Sequence, residues 1–126
     1  TMCKRFVEMR VLVCGDREWV DTDAVMMKRL AKLPLSAIVI HGACRGADRC
    51  AGTIALGYSM AIETYPADWK RYGKGAGPIR NQQMLDTGID LVLAFHNDIE
   101  NSSGTADMVA RATSFGIPVE IYTCTS

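Results

Sequence analysis

The sequence predicts an α/β protein: a single three-layer domain built on a five-stranded, mainly parallel sheet in the order 3-2-1-4-5. Three observations carry this expectation. Five short apolar runs alternate with stretches whose apolar residues recur every three or four positions, the pattern of strands joined by helical crossovers. The first, second and fourth runs are apolar at nearly every position, as in strands covered on both faces, whereas the third and fifth are broken by Glu and Thr, as suits outer strands. The length of 126 residues is enough for one core and too little for two, so residues 1–126 form one domain with its core over 10–122.

The elements follow in order. Val11-Leu12-Val13-Cys14 forms the first strand and stops at Gly15, and the stripe Met26, Leu30, Leu33 marks the first helix. Ala37 to Ile40 is the second strand, ending at His41-Gly42, and Ala47, Cys50 or Ala51, and Ile54 give the second helix its apolar face. Ala61 to Tyr65, the third strand, stops at Pro66. Gly77-Pro78 announces a helix over Ile79–Thr87 that Gly88 closes. Leu91 to Phe95 is the fourth strand, Met108, Ala112 and Phe115 line the last helix, and Val119 to Tyr122 is the fifth strand. Right-handed crossovers favour the order 3-2-1-4-5, which places a winding reversal between strands 1 and 4 and a ligand crevice at their carboxyl ends.

Composition narrows the class of function. Apolar residues make up 48% and charged residues 22%, which excludes a disordered tail, a collagen-like repeat and a coiled coil. Fourteen basic residues balance fourteen acidic ones; without a basic excess, nucleic acid is not the expected partner. No apolar run approaches the roughly 20 residues of a membrane span, so no membrane partner is expected. Thr1–Arg10 carries charges but no long apolar stretch, so no secretory leader is expected, and Thr1 ahead of Met2 reads as an added residue. Cys3, Cys14, Cys44, Cys50 and Cys124 form no CxxC pair; they read as reduced thiols of a cytoplasmic protein, with neither a metal site nor a cofactor.

Four segments that follow strand ends concentrate Gly and polar residues, and all should open on one edge of the sheet. Gly15 and Arg17 follow the first strand, and Gly42, Ala43, Gly46 and Asp48 the second. Asp68 and Trp69 follow the third, with Arg80 and Asn81 beyond them, and Ser103, Gly104 and Thr105 follow the fourth. Glycine lets backbone amides approach an anion, and a helix start adds positive dipole, so the segments at Gly42–Gly46 and Ser103–Thr105 suit phosphate. Arg17 and Arg80 would neutralise its charge, Arg80 from the first turn of its helix. Trp69 or Tyr72 could stack on a base, with Trp19 a third candidate. Asp48 and Asp107 sit in first turns, where capping competes with a ligand role.

Taken together, Gly15-Asp16-Arg17-Glu18-Trp19, Gly42-Ala43-Cys44-Arg45-Gly46-Ala47-Asp48, Pro66-Ala67-Asp68-Trp69, Ala76-Gly77-Pro78-Ile79-Arg80-Asn81-Gln82 and Gly104-Thr105-Ala106-Asp107-Met108-Val109 resemble the YspA/YpsA-related family long labelled DUF2493. That family lies in the SLOG superfamily of Rossmann-like domains, with the LOG phosphoribohydrolases and DprA. The resemblance covers Arg10 to Tyr122 and implies a nucleotide or nucleotide-derived ligand at the Gly-rich loops, in a protein of bacteria or their phages. It also marks a departure. The LOG pattern Pro-Gly-Gly-x-Gly-Thr-x-x-Glu, aligned on Gly104-Thr105, puts Glu100, Asn101 and Ser102 at Pro-Gly-Gly and Met108 at the catalytic Glu, and a thioether cannot act as a general base.

The expected function is therefore binding of a nucleotide-derived small molecule, as a sensor or a sequestering protein. The alternative is a hydrolase of the N-glycosidic bond of a nucleoside monophosphate, whose catalytic residues are unassigned. Outer strands on a small domain also point to a homo-oligomer, a dimer or higher.

Overall fold

The computed structural model describes residues 8–124; residues 1–7, which include Cys3 and most of the opening segment read above for a leader, and residues 125–126 lie outside them. Strand β1 (Arg10–Gly15) leads through a single 3-10 turn (Thr22–Ala24) into helix α1 (Val25–Leu30). Strand β2 (Ile38–His41), helix α2 (Ala47–Gly57) and strand β3 (Ala61–Thr64) complete the first half. Helix α3 (Trp69–Tyr72), a 3-10 turn (Gly73–Gly75), helix α4 (Ala76–Asp86) and strand β4 (Leu91–Phe95) follow. A further 3-10 turn (Ile99–Asn101), helix α5 (Gly104–Ser114) and strand β5 (Val119–Tyr122) close the chain. The five strands form one sheet in the order β3-β2-β1-β4-β5, and every pairing is parallel. The architecture is the expected one.

Alternation along the strands divides the core into two layers. Val11, Val13, Val39, Leu93 and Phe95 face α1 and α2, where Met26, Leu30, Ala51 and Ala55 cover them. Leu12, Cys14, Ile40, Val92 and Ala94 face the other way, against Met84 and Leu85 of α4 and Met108 and Ala112 of α5. This is why β1, β2 and β4 are apolar on both sides. The acidic residues that interrupt the outer strands have partners: Glu63 on β3 takes two hydrogen bonds from the Arg10 guanidinium at 2.8 and 2.9 Å, and Glu120 on β5 takes Arg29 at 2.9 Å. Each pair ties an outer strand to a more central element. Among the described residues no helix is long and apolar enough to cross a membrane.

Three details differ from expectation, each for a local reason. Helix α1 stops at Leu30, and Leu33 packs into the same core from the turn that follows. Helix α4 begins at Ala76, with Pro78 inside its first turn, where a missing N–H has no intrahelical acceptor to lose. The one-turn helix α3 has too short an apolar pattern to read; Asp68 fixes it by accepting the Arg71 N–H at 3.1 Å.

Candidate functional site

The loops after β1, β2, β3 and β4 and the start of α4 surround one crevice of about 500 Å³, within the usual range of about 300–1,000 Å³ for small-molecule sites. It opens beside Gly15 at the end of β1 and His96 just beyond β4. Gly15 is needed there because a Cβ would collide with the Phe95 carbonyl of β4. Of the residues singled out from sequence, Gly15, Arg17, Asp48, Trp69, Arg80, Asn81, Ser103, Gly104 and Thr105 line the crevice, whereas Gly42, Ala43, Gly46 and Asp68 do not.

The first half of the Gly42–Gly46 loop cradles an internal anion. Three of its amides are committed: those of Gly42 and Cys44 donate to Asp48 Oδ2 at 3.0 and 3.2 Å, and that of Ala43 to His41 Nδ1 at 3.0 Å. The Ala47 amide at the start of α2 donates to the Asp16 carbonyl at 2.9 Å. The anion in this loop is thus the protein's own Asp48, 6% exposed. Burial pushes its carboxyl up to about 6, against the lowering effect of the two amides and of Arg80 and Arg17. Gly46 has a positive φ of 76°, and a side chain there would strike the backbone at Asp16 and Arg17. Gly42 is bare for a different reason: a Cβ would overlap the Arg80 guanidinium.

Arg80 is not a solvated residue of a first turn. The early start of α4 moves it to the second turn, where it is 8% exposed. Its Nη1 donates to the Gly42 carbonyl at 2.6 Å and the Tyr65 carbonyl at 3.3 Å, joining the ends of β2 and β3. Nε donates to Asn81 Oδ1 at 3.1 Å, and Nη2 contacts Cys44 Sγ at 3.7 Å on the crevice wall. The network continues through buried Asn81, whose Nδ2 donates to the Gly104 carbonyl at 3.3 Å and to Asp107 Oδ2 at 3.0 Å. Arg111 Nε reaches the same Asp107 oxygen at 2.8 Å, and its Nη1 donates to Gln82 Oε1 at 2.9 Å.

The start of α5 presents the open donors. Ser102 Oγ, rather than Ser103, accepts the Ala106 N–H at 3.1 Å, and the Asp107 N–H donates to the Ser103 carbonyl. The amides of Ser103, Gly104 and Thr105 donate to no protein group among the described residues, and all three residues line the crevice. An eleven-residue helix thus directs its N-terminal dipole into the same space as Arg17, Lys74 and the buried Arg80. His96 adds a donor: its Nδ1 accepts the Asp98 N–H at 2.8 Å, which leaves Nε2 to carry the ring's N–H.

Two aromatic candidates are elsewhere. Trp19 is buried, edge-on to Phe95 with ring centroids 5.5 Å apart, and Tyr72 lies beneath Arg71 outside the crevice lining. Trp69, half exposed on the rim, is the one that can offer a face to a base. Met108 is buried in the α4–α5 core layer, and its neighbour Asp107 lines the crevice instead. Sequence reading also missed Lys74, His96 and Asn101 as crevice residues. The cysteines at 14, 44, 50 and 124 are free thiols; Cys14 and Cys44 line the crevice, and burial raises the Cys14 thiol far above its ordinary range. Among the described residues no three His, Cys, Asp or Glu side chains are grouped to hold a metal.

A parallel sheet in this order, with helices on both faces and its crevice between β1 and β4, defines a Rossmann-like domain. Comparison with known proteins narrows the class: the chain belongs to the YspA, cpYpsA-related SLOG family (YAcAr), whose profile matches residues 9–72. It is 37% identical over 118 residues to the Gene 61 protein of Mycobacterium phage D29, covering 87% of this chain and 93% of that protein. The X-ray structure of DNA processing protein A (DprA) from Streptococcus pneumoniae superposes with a TM-score of 0.66 at 19% identity, over 94% of this chain. The chain spans about half of that structure's length, 51%, and the likeness is one of fold. The expectation from net charge that nucleic acid is no partner finds no support here, since the fold recurs in a protein described as processing DNA.

Proposed function

We propose that the protein binds a phosphate-bearing nucleotide or nucleotide derivative in the crevice between β1 and β4, as a sensor or a sequestering protein. One observation carries this reading: the three open amides at the start of α5 and the buried Arg80 face the same space. Phosphate is the anion that helix starts and guanidinium groups both favour. Arg17 and Lys74 add charge from the rim, and Trp69 supplies a flat face for the base. The Gly42 loop holds Arg80 and takes no direct part in this reading.

Thermal unfolding with added ligand tests it. A nucleoside monophosphate at about 100 times its dissociation constant should stabilise the fold by about 2.7 kcal/mol, while its free nucleoside leaves the melting temperature in place. Arg17→Ala, which alters an exposed side chain, should weaken the phosphate-dependent shift without altering the unliganded protein. Nucleosides that match their phosphates would remove the anion site.

A second reading is hydrolysis of the N-glycosidic bond of a nucleoside monophosphate. It is favoured by the Asp107 carboxylate, which lines the crevice one position away from the buried Met108. Release of free base from monophosphates, abolished by Asp107→Ala, would replace the binder by an enzyme. The reading extends to a homo-oligomer, because β3 and β5 each leave one ladder side open among the described residues; sedimentation velocity reads its mass directly.

A further inference from the structure

We propose that Asp107 reads the sugar of the bound nucleotide, accepting hydrogen bonds from a ribose and so selecting ribonucleotides over 2′-deoxyribonucleotides. The inference rests on the phosphate site at the start of α5. Both hydrogen bonds that Asp107 accepts from side chains fall on Oδ2, from Asn81 at 3.0 Å and Arg111 at 2.8 Å. The residue lines the crevice, and Oδ1 takes no hydrogen bond from the described residues. The carboxylate is therefore held at one oxygen and open at the other.

Its surroundings define what the open oxygen can bind. An ionised carboxylate only accepts, so its partner on the ligand must be a hydroxyl or an N–H and cannot be a phosphate oxygen. The neighbouring Arg111 offsets its charge, so an anion can sit close by. Asp107 lies two to four residues along α5 from the open amides, its own N–H on the Ser103 carbonyl, an axial advance of about 3–6 Å. With phosphate on those amides, the part of the ligand at that distance is the group bonded directly to phosphate. In a nucleotide that group is the sugar.

Asn81 is the positioning residue. It is 5% exposed and bonds Arg80 through Oδ1 and Asp107 through Nδ2, so one amide sets the guanidinium and the carboxylate at a fixed separation. A site that recognises a hydroxyl by a pre-oriented group discriminates against the analogue that lacks it.

Calorimetric titration with inorganic phosphate, ribose 5-phosphate, 2-deoxyribose 5-phosphate, and AMP beside dAMP tests this independently of the base. The unmodified protein should bind each ribo compound about ten- to a hundredfold more tightly than its deoxy counterpart, the range of a hydrogen bond to a charged group. Asp107→Ala removes the open acceptor, and the preference should fall to within about threefold while inorganic phosphate binds as before. Equal binding of ribo and deoxy compounds by the unmodified protein overturns the inference and leaves the phosphate site standing, a result that holds even where the variant fails to fold. Persistence of the preference in a folded Asp107→Ala overturns it as well. Binding of none of these phosphates overturns the phosphate site and the sugar reading together.

Discussion

Replacing Asp48 by Asn should flatten the dependence of folding stability on pH between about 4 and 6. Asp48 is 6% exposed, and burial lifts its carboxyl from the ordinary 3.8 to about 6. In that interval the folded protein holds a proton on Asp48 that the unfolded chain has released, so stability from this group is full below about 3.8 and falls as pH rises through about 6. At about 1.4 kcal/mol for each pH unit, the interval from 3.8 to about 6 comes to about 3 kcal/mol lost by neutral pH. Asn carries no such titration. Both amides of the loop donate to the one oxygen Oδ2, and a side-chain amide keeps one carbonyl oxygen in that place. Urea unfolding at closely spaced pH values, with the variant subtracted from the unmodified protein, isolates this group from every other carboxyl. The difference should favour the unmodified protein in acid and shift toward the variant by up to about 3 kcal/mol as pH rises to 7. Parallel profiles, or a variant uniformly weaker by several kcal/mol at every pH, would refute the account of Asp48 as the loop's internal anion.

Arg80→Ala should destabilise the fold by about 3–5 kcal/mol in urea unfolding, because it leaves the Gly42 and Tyr65 carbonyls without their donor and buried Asp48 without its countercharge. A loss below about 1 kcal/mol would return Arg80 to the status of a surface residue. Met108→Glu places a carboxylate in an apolar layer beside Leu12, Met84 and Ala112 and should lower stability by several kcal/mol, whereas Met108→Leu should stay within about 1.5 kcal/mol. A stable Met108→Glu protein that releases base from AMP would show that position 108 faces the ligand after all.

The sheet was legible because its rules act over short stretches. Val11 to Cys14 and Leu91 to Phe95 are apolar at every position since both faces of β1 and β4 are covered, and Glu63 and Glu120 mark the outer strands because only there can a carboxylate reach water and an arginine together. The crevice followed from strand order alone. Helix α3 was not legible, since four residues have no period to detect; its signal was Asp68 ahead of Trp69, a cap followed by an aromatic that could not be told from a loop.

The site was legible as a set of loops but not as a set of roles. The amides after Gly42 and those at Ser103–Thr105 look alike in sequence, and what separates them is whether a carboxylate returns to fill the first set. Asp48 does so from two residues beyond Gly46, while in α5 the comparable Asp107 bonds Asn81 and Arg111 through Oδ2 and leaves the amides open. That second arrangement left a trace. Met108 and Ala112 form the buried stripe of α5, so Asp107 and Arg111, also four apart, share the adjoining face and are spaced to pair. An acid on that face, three residues after Gly104, lines the crevice; the residue aligned with the LOG catalytic position instead belongs to the core. The carboxylate that α5 gives the crevice, beside Asp16 and Asp48 from other loops, thus stands one residue before that position, with Asn81 and Arg111 to hold it.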